Sequence, residues 1–223
     1  MAGLATTDNV LSGLKKSKSS TEVLAKMEKT LSVSSDKALI IIADFSGSMA
    51  EQLTPGATKI QALKSALIND LAKKLIGWTY GVIGFGINIF DPIKWLVYPT
   101  TDPRKMIAVN EYSANGSTPM YDGLIEAWIW TNRNASKARF ILISDGEPTG
   151  HSKAEILEQC SQHKTIPIDT IGVGNGLGYD EEFLKKISEI TGGIFAKVNS
   201  IDNLTSTLID LSPEKRFLLG NTK

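Results

Sequence analysis

The stretch that most limits the fold is residues 38–51, ALIIIADFSGSMAE. Its apolar half, residues 38–43, is long enough for one strand and far shorter than the roughly 20 residues that span a bilayer. The β-branched isoleucines and the absence of polar alternation suit a strand covered on both faces, as strands of a parallel sheet are. The run stops at Asp44-Phe45-Ser46-Gly47-Ser48. In open α/β sheets, ligands bind just outside the carboxyl ends of the strands. A carboxylate and two hydroxyls at alternate positions therefore fall where such a fold does its chemistry.

The rest of the chain supplies the other layers. Residues 58–76 carry Ile60, Leu63, Leu67, Leu71 and Leu75 as one helical stripe, with Lys59, Lys64, Lys73 and Lys74 off it, and Gly77 as the stop. Residues 51–57, broken by Pro55-Gly56, read as a loop. Two short strands at 80–85 and 95–98 have no helix between them, which predicts a hairpin with one antiparallel strand at the sheet edge. Asp102 and Pro103 open a helix to about Val109. Met120, Leu124, Ile125, Trp128 and Ile129 recur at helical spacing. Residues 139–144 (RFILIS) form a buried strand ending in Asp145-Gly146-Glu147-Pro148. A helix over 153–163, a strand over 166–173, a helix capped by Asp180 and stopped at Gly192-Gly193, a strand over 194–198 and a helix over 202–211 complete the pattern. Alternation of this kind predicts an α/β, doubly wound and mostly parallel central sheet, with one antiparallel edge strand and helices on both faces. The deeply apolar first strand belongs near its centre. The organisation expected is an arm over 1–35 with a short helix near 21–27, one domain over 36–211 and a tail over 212–223.

Composition excludes several functions. Lys and Arg total 24 and so do Asp and Glu, so nothing favours nucleic acid or an anionic membrane as partner. Cys160 alone makes no intrachain disulfide, and its helical context suits a buried apolar role. Two histidines, His151 and His163, are scant material for a zinc site or a His-based triad. The amino terminus shows no leader-like apolar region and no stretch is long enough to cross a membrane, so a cytoplasmic setting is expected.

Two further turns change the meaning of the first. Thr118 lies in the polar loop 113–119 ahead of a helix, and Asp145 follows a second buried strand. Parallel central strands present their carboxyl ends at one edge, where Asp44, Ser46, Ser48, Thr118 and Asp145 can converge. Two carboxylates and three hydroxyls make a hard-oxygen set suited to Mg²⁺, with Mn²⁺ or Ca²⁺ as alternatives, and unsuited to zinc. Taken singly, each residue has a plainer use: the serines as helix caps, Thr118 as a turn former, Asp145 in a turn with Gly146. Glu51 and Glu147 read as solvated rim residues. Trp78, Trp95, Trp128 and Trp130 read as core or sheet-edge packing. The glycines from Gly172 to Gly178 lack the G-x-G-x-x-G spacing and follow a late strand, so they do not mark a dinucleotide site.

Over roughly residues 36–211 the sequence resembles the von Willebrand factor A (vWA) family. Asp44-Phe45-Ser46-Gly47-Ser48 matches the D-x-S-x-S part of that family's metal-ion-dependent adhesion site; residues 116–120 are similar to its Thr loop and residues 144–148 to its Asp turn. The resemblance implies direct coordination by Ser46 and Ser48, coordination by Thr118 directly or through water, and Asp44 and Asp145 acting mainly through water and hydrogen bonds. It implies a non-enzymatic, Mg²⁺-dependent interaction module in which a Glu or Asp of a partner protein completes the shell, within an intracellular assembly such as those that include ATPases. Two alternatives stand beside it. A Mg²⁺-dependent phosphatase could use Asp44 as nucleophile, although Ser46 occupies the place of the usual second aspartate. A scaffold subunit could associate without metal.

Overall fold

The structure is a computed structural model, and it describes residues 37–174 and 180–212. The expected amino-terminal arm with its short helix, Gly176, Gly178 and the tail from residue 213 lie outside the described residues.

Strand β1 (Lys37–Asp44) is the middle of the architecture. Parallel neighbours flank it on both sides, β4 (Thr79–Phe85) and β6 (Lys137–Ser144). The sheet runs β5-β4-β1-β6-β7-β8, with β5 (Ile93–Thr100), β7 (Ile168–Val173) and β8 (Phe195–Val198) completing it. All pairings are parallel except β4 with β5, the antiparallel hairpin at one edge. Strand alternation divides the isoleucine run between two cores. Leu39, Ile41 and Ala43 enter one cluster, and Ile40 and Ile42 the other. Both faces are therefore apolar, which is why β1 shows no polar alternation.

Helices cover both faces. On the first lie α1 (Lys59–Ser65) and α5 (Ile201–Asp210); on the second lie α2 (Met120–Asn134), α3 (Lys153–Gln162) and α4 (Glu181–Thr191). The predicted helix 58–76 is not uniform. After α1 it passes through a π-helical stretch (Ala66–Asp70) and a 3₁₀ turn (Leu71–Lys74). The stripe still buries Ile60, Leu63, Leu67, Leu71 and Leu75. The helix after Asp102 is likewise a 3₁₀ helix (Pro103–Glu111), capped by Asp102. Residues 51–57 are more ordered than a loop: β2 (Gln52–Thr54) and β3 (Ala57–Thr58) pair antiparallel about Pro55-Gly56. No helix among the described residues is long and apolar enough to cross a membrane.

Candidate metal centre

The site lies beyond the carboxyl ends of β1, β4 and β6. Asp44 is the last residue of β1 and fully buried. Its Oδ1 accepts from the Ser46 amide at 2.7 Å and its Oδ2 from the Ser144 hydroxyl at 2.6 Å. Parallel register makes the second bond inevitable: Ala43 pairs with Ile143, so the next residues, Asp44 and Ser144, end side by side. Burial pushes the Asp44 carboxyl up from 3.8 to about 6, even though the Ser144 and Ser46 hydrogen bonds pull it down.

Ser46 precedes a short 3₁₀ helix (Gly47–Ala50), yet its hydroxyl makes no cap. It lies 3.0 Å from the Ser48 hydroxyl. Ser48 Oγ donates to Asp145 Oδ1 at 2.7 Å, tying the β1 turn to the β6 turn across 97 positions of sequence. Thr118 is placed by backbone bonds: its amide donates to Thr149 Oγ1 at 3.0 Å and its carbonyl accepts from Thr149 and Met120 amides, each at 2.8 Å. A β-carbon built on Gly146 would stand 3.5 Å from Thr118 Oγ1 and 3.7 Å from Ser48 Oγ. Thr118, Ser48 and the Asp145 turn thus surround one small volume. All five predicted positions meet at one rim, and neither the helix-cap role open to Ser46 nor the turn role open to Asp145 is what their side chains do. Asp44 does use one oxygen on its own turn.

Glycine backbones let the loops approach. Ser46 and Gly116 form a parallel bridge, the Gly47 amide donates to Gly116 O at 2.9 Å, and the Gly116 amide donates to Gly86 O at 2.7 Å. Gly86 has φ +76°, and a β-carbon there would fall 2.2 Å from Ser117 O and 2.8 Å from Ser46 N. Only glycine fits.

One residue of the site was not foreseen. Lys59, the first residue of α1, is 7% exposed. Its ammonium donates to Asp145 Oδ2 at 2.7 Å, Glu51 Oε2 at 2.8 Å and the Ser48 carbonyl at 3.4 Å. Burial alone would lower its pKa; the bonds to Asp145 and Glu51 outweigh that and hold it above the ordinary lysine value. A cation at a helix amino terminus opposes the helix dipole. That conflict, inside the Thr58–Gln61 capping box, was the available signal. Glu51 and Glu147 are rim residues as expected, Glu147 pairing with Lys153 at 3.0 Å. Trp128 is buried against His163, and Trp95 packs on Trp130 at the sheet edge. Cys160 is buried, which pushes its thiol up to about 12.

The donor chemistry fits a hard divalent cation. Among the described residues no group of three or more His, Cys, Asp and Glu is placed to hold a metal, so any ion here rests mainly on hydroxyls. Ser46 and Ser48 hold their oxygens side by side, hydrogen-bonded to each other at 3.0 Å, and hydroxyl oxygens are ligands that a hard cation accepts. Asp44, the nucleophile of the phosphatase alternative, is fully buried with both oxygens engaged.

The chain has the fold of von Willebrand factor A domains. It is similar to the von Willebrand factor type A structure from Catenulispora acidiphila, with a TM-score of 0.65 and 20% identity over 80% of this chain and 42% of that one. The SpRpn10 VWA domain matches at 0.61 and 18% identity, covering 79% of this chain and 95% of that domain. The ArnB paralog VWA2 from Sulfolobus acidocaldarius matches at 0.64 and 22% identity, over 79% and 45% respectively. This chain therefore spans less than half of the first and the last of these. No family model and no curated protein matches it.

Proposed function

We propose that the protein is a metal-dependent interaction module, not an enzyme. Ser46, Ser48 and Thr118 would hold Mg²⁺, with Asp44 and Asp145 fixing the hydroxyls and binding through water. When bound, the ion supplies a coordination position for a carboxylate. Because the chain's own contacts to it are hydroxyls, little negative charge is spent on it, and a Glu or Asp of a partner protein is an attractive further ligand. The observation that carries this reading is the meeting of Ser46, Ser48, Thr118 and Asp145, from three separate turns, around one small volume, with Ser48 bonded to Asp145. The vWA fold of the neighbours supports it. On the resemblance alone, we place the partner in a multi-protein assembly of the ATPase-associated kind in the cytoplasm.

The test is thermal and calorimetric. Mg²⁺ at about 100 times its Kd should stabilise the folded chain by ~2.7 kcal/mol, and EDTA should reverse the shift. Ser48→Ala should abolish it. A melting temperature indifferent to millimolar Mg²⁺ and Mn²⁺ would refute the reading.

A further inference from the structure

We propose that Lys59 is a built-in competitor of the metal: its ammonium, anchored on Asp145, Glu51 and the Ser48 carbonyl, holds the site's affinity for divalent cations down. The inference rests on the metal reading above and deepens it by assigning a residue outside the adhesion-site pattern the role of setting that affinity.

Three observations carry it. First, Asp145 is shared. One oxygen accepts from Ser48, a proposed ligand, and the other from Lys59, each at 2.7 Å. The same carboxylate that would polarise Ser48 toward an ion is thus already compensated by a fixed positive charge. Second, the ammonium is confined. Lys59 is 7% exposed, and its Cε and Nζ lie 3.7 and 4.0 Å from where a β-carbon would stand on Gly174, at the end of β7. Gly174, at φ +133°, leaves that space open. The ammonium is thus held beside Asp145 and away from solvent. Third, Glu51 holds the same ammonium at 2.8 Å, so two carboxylates from different turns fix its place.

The consequence follows from charge. A divalent ion entering beside Ser48 meets Asp44 and a neutralised Asp145, and is repelled by a cation held a few ångströms away in a poorly screened setting. Lys59 therefore keeps the ion weakly bound and dependent on an incoming carboxylate. Without the lysine charge, Asp145 would face the ion uncompensated.

The experiment is isothermal titration of Mg²⁺ and Mn²⁺ into the full chain, comparing wild type with Lys59→Met and Lys59→Arg, alongside melting temperatures in EDTA. Lys59→Met should tighten Mg²⁺ at least tenfold, while its melting temperature in EDTA falls because buried Asp145 loses its partner. Lys59→Arg, keeping the charge, should stay within about threefold of wild type. Should Lys59→Met fail to fold in EDTA, Lys59→Gln offers a polar, uncharged substitute read in the same way. An unchanged or weaker Kd in the uncharged variants would overturn the proposal and leave Lys59 a purely structural ion pair. If neither wild type nor the uncharged variants bind either ion, it is the metal reading itself that fails.

Discussion

Gly86 offers a direct test of how the rim is assembled. Replacing it with alanine imposes two costs. A residue other than glycine at φ +76° costs ~1–2 kcal/mol for the left-handed conformation. The new β-carbon would also lie 2.2 Å from Ser117 O and 2.8 Å from Ser46 N, and both are backbone atoms that no rotamer change can move. Forced overpacking of that sort adds ~1–3 kcal/mol. Gly77→Ala is the control, since Gly77 has φ +82° with nothing within 4 Å of its β-carbon position; it should lose only the first cost. Gly86→Ala is expected to lose about 2–5 kcal/mol, and at ~2–4 °C per kcal/mol for a chain of this size its Tm should drop by about 5–20 °C. Urea unfolding with an unchanged m-value would measure both variants. Mg²⁺ affinity should fall in Gly86→Ala and hold in Gly77→Ala, because only the first displaces the Ser46 backbone. Equal losses from the two substitutions would refute the claim that close approach, and not backbone conformation alone, demands glycine at Gly86.

Other expectations follow from buried charge. Asp169 is fully buried and receives two bonds from Arg139 plus the Ile194 amide at 2.8 Å; Asp169→Ala should cost ~3–5 kcal/mol by stranding the guanidinium, measurable by chemical denaturation. Asp44 is raised by burial to about 6 from 3.8, so the folded, metal-free protein holds that proton more tightly than the unfolded chain does. Its contribution to stability is present in full below pH 3.8 and lost as pH rises through about 6. In EDTA, the stability of wild type minus that of Asp44→Asn should decline across that window; a flat difference would contradict the burial argument.

Much of this architecture was legible because the signals were local and periodic. The isoleucine run, the apolar stripe from Ile60 to Leu75, and Asp102, Asp180 and Gly192 at helix ends each declare themselves within a few residues. The meeting of Asp44, Ser46, Ser48, Thr118 and Asp145 was legible too, since parallel strands must present their carboxyl ends together. Contacts that depend on tertiary register were not. Ser144 reaches Asp44 only because β1 and β6 align as they do, and Gly86 meets Gly116 and Ser46 only once β4 lies beside β1. Periodicity puts Lys59 on the polar side of its helix, whereas its side chain, at the first helical position, reaches into the site. The π-helical stretch at Ala66–Asp70 carries no residue pattern that sets it apart from an α-helix.

The margins of the sheet bear on how this molecule can meet another. Strand β8 is only four residues long. Strand β5 carries Pro99, which has no amide hydrogen, and its register with β4 slips twice. Neither border presents the long, even ladder on which a foreign strand could be zipped. Among the described residues, lateral growth into a larger sheet is thereby discouraged at both borders.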